Sequence, residues 1–404
     1  MAPSLEKKTF IERLAITSKE RILESKYTKL FTFFITLTTL ICIIIESIIV
    51  HSHVSVYQEL LNNGMIDDVL STSIDPEQKY RSNDASIMVA IGLRRLKDEN
   101  VFFILLSLFQ LVLGLDAIVR QNVIQLIAHT CIQIVAVAFA AIQVGSTIRK
   151  HLDVEEHIPP PEDPDVNWNF NLALRHEIGL VSVMAILAVV FIYLCYQLYK
   201  QFGWNIYKRI GADIKQQARF KLAQVYLLLL KLDAFFHFVL CVFYTVIMTQ
   251  EKYYTLLGTV DRKFAGYVIH IILTILLIPG LLLARFGVIK ENKQVMMAFL
   301  VTQCIMALDF ILILVDSAGS WVFWNLAVCL AIILCISTFV LSIMVQRNFG
   351  KGLKPYMQRL FVDETEKQQQ AVSTGALLKT QDWLIDEDDD EAYPEPAHVK
   401  NHPI

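Results

Sequence analysis

Apolar residues gather in eight long runs, at 28–50, 101–119, 123–144, 178–198, 222–249, 264–286, 295–315 and 321–345. Each is near or above the roughly twenty residues that an α-helix needs to cross a hydrocarbon core of about 30 Å. The pattern predicts an all-α polytopic transmembrane helical bundle of about eight spans, with seven possible; a re-entrant second and third pair would lower the count. Arg120, Gln121 and Asn122 alone separate those two runs, which makes them an antiparallel hairpin. The DSAGS sequence at 316–320 is a similarly short join between the last two. The 222–249 run is over-long and has to tilt or project, and Pro279-Gly280 marks a kink or break in the sixth.

The polar stretches set the organisation. Residues 1–27 are charged and lack a short apolar core followed by small residues, so they read as a cytosolic N-terminal arm and the first run as an uncleaved anchor. The transmembrane domain covers 28–346, with loops at 51–100 and 145–176 and a basic loop at 200–221. Within the first loop, 85–97 has a helical pattern that can run into the second span. The 145–176 loop is acidic and proline-rich, and is expected to be extended and solvated. Residues 347–404 open basic (Arg347, Lys351, Lys354, Arg359), end in an acidic block at 386–391, and are expected to be a disordered cytosolic tail. An even number of spans puts both termini on one side. Lys200, Lys208, Arg209, Lys215, Arg219 and Lys221 make that side cytosolic and the 51–100 and 145–176 loops lumenal, an assignment against which Arg94, Arg95 and Lys97 count. No repeat of fixed period stands out.

Composition agrees. Of 404 residues 55% are hydrophobic and 19% charged, below the roughly 25% charged of soluble proteins, which makes a lipid bilayer the solvent. All seven cysteines lie inside the apolar runs, which argues against a disulfide-braced lumenal domain and a cysteine-based zinc site. There is no nucleophile elbow, phosphate loop or dinucleotide fingerprint. An enzyme, a cofactor, a metal and a nucleic-acid partner are therefore not expected.

The candidate chemistry is intramembrane. Lys231, Asp233 and His237 fall near the middle of the fifth run, where a charge costs roughly 2.5–3.5 kcal/mol without a partner or a wet cavity. Asp233 and His237, four residues apart, share a helical face. His270 of the sixth run and Asp309 of the seventh can face the same interior, and Asp116 closes the second. Such a set suits a proton relay or ion-coupled carrier, or else an interhelical ion pair that fixes packing. Gln125, His129 and Gln133 form a polar stripe, which either lines a passage or, more simply, binds another helix. Trp204 and Tyr207, with Lys208, Arg209, Lys215 and Arg219 around them, read as an interfacial amphipathic helix over 203–221, with anionic lipids as candidate partners. His51, His53, His151, His157 and His176 are candidates for zinc binding or acid sensing, and the acidic tail with Trp383 for a trafficking adaptor.

The stretches FGWNIYKRIGAD, LLLLKLDAFF and LDAIVRQNVIQ carry a resemblance. Through Trp204, Tyr207, Lys208, Gly211, Ala212, Asp213, Leu230, Lys231, Asp233, Asp116, Asn122 and Gln125, the chain resembles a family of fungal multi-pass proteins of the Golgi apparatus membrane. The resemblance covers roughly residues 28–350. It implies location and topology, usually with seven spans, and no biochemical activity. The expectation is a non-enzymatic Golgi or secretory-pathway membrane protein acting in trafficking or membrane organisation. The alternative is a proton-coupled transporter or channel using the Asp/His/Lys set; the plasma and vacuolar membranes are alternative locations.

Overall fold

The computed structural model describes residues 18–66, 85–158, 165–210, 214–250, 260–317 and 321–351. These form eight long helices: α1 (Lys26–Asn62), α2 (Ala85–Val119), α3 (Val123–His157), α4 (Asp165–Ile210), α5 (Ile214–Gln250), α6 (Val260–Lys290), α7 (Lys293–Ser317) and α8 (Val322–Gln346). All eight are long and apolar enough to span a membrane. Their burial is inverted relative to a soluble bundle. Ile186, Val189, Ile275, Leu312 and Val315 are each more than 60% exposed, whereas Glu46, Asp233 and His237 are fully buried. Apolar side chains outside and ionisable ones inside are what lipid solvent dictates.

We call proximal the ends at Lys26, Val119, Val123, Ile210, Ile214, Lys290, Lys293 and Gln346, and distal the opposite ends. Two proximal hairpins share one design. Gln121 (φ 49°) and Glu291 (φ 53°) adopt the left-handed conformation that ends a helix. The following residue, Asn122 or Asn292, caps the next helix by accepting from the backbone N–H of Ile124 or Gln294, each at 3.0 Å. At the start of α1, Ser25 and Thr28 form a capping box, and the Ser25 hydroxyl also donates to Gln201 Oε1 of α4 at 2.9 Å.

The helices are longer than the apolar runs, which corrects the expected loops. Most of 51–100 is the distal end of α1 and the start of α2; of 145–176, only 159–164 lies outside α3 and α4 and outside the described residues. The physical reason is mutual burial. Val56 and Leu60 of α1, Leu93 and Leu96 of α2, Val154 of α3, and Val166 and Phe170 of α4 form one apolar cluster at the distal helix ends. The first four helices thus carry a distal cap of their own. The 203–221 segment is also not a separate interfacial helix: α4 runs to Ile210 and α5 starts at Ile214. At 46 residues, α4 is about 69 Å long, over twice the hydrocarbon thickness. Helix α6 passes through Pro279 without a break.

Although no repeat is visible in the sequence, the packing is duplicated. Helices α1–α4 form a ring in which α1 touches α2, α2 touches α3, α3 touches α4 and α4 returns to α1; α5–α8 form the same ring in the same order. The matching hairpins, at 121 and 291, are 170 residues apart. The two four-helix bundles meet chiefly where α3 packs on α5 and α8. Their shared face is aromatic: Phe109 stacks on Phe235 at 4.3 Å between ring centroids, and Phe323 meets Phe102 and Phe139 edge-on at 5.6 and 5.0 Å.

Candidate functional site

The richest polar cluster lies where the first bundle enters its distal cap. Glu46 and His53 come from one face of α1, Glu99 and Asn100 from α2, Gln143 and Thr147 from α3, and Glu177 from α4. All seven are at most 1% exposed. Helix periodicity puts them there. On α4, Glu177 continues the buried series Val166, Phe170, Ala173, Leu180, Met184, Leu187 and Phe191 at spacings of three and four. On α2, Asn100 sits in the series Leu93, Leu96, Phe103.

Six of the seven form a connected hydrogen-bond network, and Glu99 bonds outward from it. Gln143 Nε2 donates to Asn100 Oδ1 and, at 3.4 Å, to Glu46 Oε2. Asn100 Nδ2 donates to His53 Nδ1 at 3.0 Å. That leaves the hydrogen on His53 Nε2, which faces Glu177 Oε1 at 3.7 Å; the same carboxyl oxygen accepts from Thr147 at 2.7 Å. Glu99 Oε1 accepts from the indole N–H of Trp321, the residue before α8, at 2.5 Å. Arg95 lies over that indole at 5.3 Å. Each glutamate nevertheless keeps one buried oxygen, Glu46 Oε1, Glu99 Oε2 and Glu177 Oε2, that meets no donor. A buried carboxyl oxygen without a protein donor costs roughly 1–3 kcal/mol, so three in one layer mark it as a candidate site.

The ionisable residues singled out in the sequence do not form one cluster but three. Lys231 turns away from Asp233 and pairs with Asp116 of α2 at 2.5 Å, and Arg120 joins the same carboxylate at 2.6 Å. This links the two bundles near their proximal ends. Asp233 and His237 do share a face, 3.7 Å apart, but His237 Nε2–H donates to the Ala331 carbonyl at 3.0 Å, and the Thr338 hydroxyl is the neighbouring donor for Asp233. His270 and Asp309 meet at 2.7 Å beside Cys241.

The Gln125, His129 and Gln133 stripe is wholly buried against neighbouring helices. His129 packs edge-on against Phe31 and Phe191 at 5.3 and 5.0 Å, and Gln133 Nε2 donates to the Met184 carbonyl at 3.4 Å. Gln143 and Thr147 extend the stripe along α3 into the acid layer. Among the basic aromatic residues, Lys215 and Arg219 begin α5, and Arg219 donates to the Lys351 carbonyl at 2.9 Å. The side chains of Trp204, Tyr207, Lys208 and Arg209, and the acidic tail, lie outside the described residues. The distal histidines do not converge: His151 stacks on Phe170, His157 and His176 bond their own helices, and only His53 reaches the acid layer.

Sequence reasoning missed Glu99 and Glu177 because each sits at the polar edge of an apolar run. The expected 51–100 loop hid His53. Extending the α4 periodicity outward from Leu180 through Glu177 to Phe170 was the signal available.

Over 299 residues the chain is 23% identical to a UPF0658 Golgi apparatus membrane protein of Schizosaccharomyces pombe, a match covering 66% of this chain and 79% of that protein. This agrees with the resemblance to fungal Golgi multi-pass proteins and with a Golgi membrane location. No family model and no solved structure matches the chain.

Proposed function

We propose that this multi-pass membrane protein moves protons across the Golgi membrane, using the Glu46–His53–Glu99–Glu177 layer as the group that takes them up and releases them. The observation that carries this is the layer itself: Glu46 and Glu177 are wired through Asn100, Gln143 and Thr147 to His53, and the buried Glu99 lies close enough to couple electrostatically to both. Carboxyls that face one another at low dielectric resist full ionisation, so the layer is able to hold protons.

The architecture supports the same reading. Two same-direction bundles of identical connectivity, with ionisable groups buried in each, are a common plan of secondary transporters, which rock one repeat against the other. The shared face carries a polar tie at each end, Asp116–Lys231 proximally and Glu99–Trp321 distally, with phenylalanines between. Opening one tie while keeping the other would expose the layer to one side at a time. Because Glu99 belongs both to the distal tie and to the acid layer, protonation and opening act on the same carboxyl. In this reading the proximal side is cytosolic. Lys26, Lys29, Arg120, Lys215, Arg219, Arg285, Lys290, Lys293, Arg347 and Lys351 gather there. The expected role in trafficking rests on side chains at 204–210 and on the tail, which lie outside the described residues, and no structural observation favours it.

The test is proton flux. Purified protein is placed in vesicles with a trapped pH-sensitive dye, and a potassium diffusion potential is imposed with valinomycin. Wild type is expected to acidify the vesicles well above the protein-free rate, and Glu177→Gln to return the rate to background. Equal rates in wild-type and protein-free vesicles would remove the proposal.

A further inference from the structure

The second bundle holds a group that the proton layer does not use. Cys241 of α5, His270 of α6 and Asp309 of α7 are buried at 0%, 1% and 9% exposure. One donor atom from each, thiol, imidazole and carboxyl, lies within 4.8 Å of the others. They approach from three different helices, with Asp309 eight residues from the end of α7, so the group sits about 12 Å inside the distal helix ends.

Hydrogen bookkeeping shows what the group is prepared for. His270 Nε2 lies 3.1 Å from the backbone carbonyl of Cys241, which can only accept, so Nε2 carries the hydrogen. The nearby Thr274 hydroxyl donates to the His270 carbonyl at 2.9 Å and does not compete. In the neutral ring, Nδ1 is then a bare lone pair, and it points at Asp309 Oδ2 at 2.7 Å. Two lone pairs at that distance need a cation between them, a proton or a metal ion. A histidine that ligates a metal almost always donates its other N–H to a carbonyl or carboxylate, and Nε2–H to the Cys241 carbonyl is that arrangement. Cys241 therefore offers its side chain as a donor while its backbone fixes the ring.

We propose that Cys241 Sγ, His270 Nδ1 and the Asp309 carboxylate form a binding site for a divalent transition-metal ion of the zinc class. One thiolate, one imidazole and one carboxylate are borderline-soft donors that suit zinc better than magnesium or calcium. A doubly charged ion with a thiolate and a carboxylate is neutral overall, the only charge state that a membrane interior accepts at low cost. In a tetrahedral site with bonds of about 2.0–2.3 Å, ligand atoms stand roughly 3.3–3.7 Å apart. The 2.7 Å pair has to open by about half an ångström, and the spread of the three donors already allows for it. Three protein ligands leave a fourth position open, and Asp309, the least buried of them, marks the access route. The proposal stands independently of the proton layer, which is in the other bundle.

The test uses the full chain purified in detergent, loaded with Zn2+ or Co2+ and freed of loose metal. Wild type is expected to keep about one zinc ion per chain. With Co2+ it is expected to show thiolate-to-cobalt charge-transfer absorption, which reports sulfur ligation directly. Cys241→Ser should abolish that band, and Asp309→Asn should lower zinc affinity at least tenfold. Cys304→Ser, at an exposed thiol, should change neither. Each variant is compared at matched size-exclusion profile, and His270→Gln serves if Cys241→Ser fails to fold. Zinc content in wild type no higher than in Cys241→Ser or His270→Gln would overturn the proposal and leave the group as a hydrogen-bonded pair. So would a cobalt band that Cys304→Ser removes.

Discussion

Consider the proximal tie between the bundles. Asp116 is held by Lys231 at 2.5 Å and Arg120 at 2.6 Å, with Arg285 within electrostatic reach. A charge pair at contact is worth about 4 kcal/mol at an effective dielectric of 20. Here the side chains are 26% and 34% exposed, so solvent screening brings the net coupling down to about 1–2 kcal/mol. The consequence of a substitution depends on which charge is left behind. Lys231→Met leaves Asp116 still paired with Arg120 and is expected to cost about 1 kcal/mol. Asp116→Asn leaves three cations facing one another at the edge of the bilayer and is expected to cost about 3 kcal/mol. Adding Lys231→Met to Asp116→Asn removes one of those cations, so the double variant should be more stable than Asp116→Asn alone, by about 1 kcal/mol. Thermal unfolding in detergent with a thiol-reactive fluorophore reads this out once the exposed Cys131 and Cys304 are replaced by serine, because Cys42, Cys241 and Cys335 are buried and become reactive on unfolding. At about 1–2 °C per kcal/mol for a chain of this size, the ordering of midpoints is resolvable. If Asp116→Asn is no worse than Lys231→Met, or if the double variant is the least stable of the three, the reasoning is refuted.

Three further outcomes follow from other contacts. A Cβ on Gly114 would come within 2.1 Å of Ile35 Cδ1, so Gly114→Ala should lower the unfolding midpoint, by about 1–3 kcal/mol of overpacking. Ile35→Val removes the offending methyl, and the pair should lose less than the two single changes together. Trp321→Phe keeps the ring but removes the N–H that Glu99 accepts, and is expected to cost about 1–3 kcal/mol; Glu99→Gln in that background should recover part of the midpoint. Phe235→Ala empties the stack against Phe109 on the shared face and should cost about 2–4 kcal/mol, with protease sensitivity rising at the bundle junction before either bundle opens.

The number of helices was legible in the chain because lipid imposes a minimum length on every span, and the eight apolar runs meet it. Their true length was not. Residues 51–62 and 165–176 are polar enough to read as loops, yet they bury one face in the distal cap, which shows only when Leu60 or Phe170 is placed in register with the apolar run beside it. The same error hid the acid layer, since Glu177 and Asn100 are in phase with apolar neighbours on both sides. Asp233 with His237, and His270 with Asp309, were legible as polar residues inside apolar runs, and the structure buries all four. Which pairs form is a matter of helix packing: Lys231 finds Asp116 from 115 residues earlier in the chain, and Cys241 finds His270 across two helices. The duplicated ring of helices has no counterpart in sequence periodicity. It survives locally in the hairpin tips, where a left-handed residue precedes a capping asparagine at both 121–122 and 291–292.

The most direct test of the central claim is whether the acid layer exchanges protons with solvent. Infrared difference spectra of the protein in lipid, recorded across a pH step, resolve protonated carboxyl groups. The account expects a pH-dependent carboxyl band that Glu46→Gln and Glu177→Gln each diminish, with His53→Gln shifting the pH at which it appears. A spectrum with no carboxyl change across the step, or one that neither substitution alters, would show that the buried glutamates are fixed in one state and that the layer only holds the helices together.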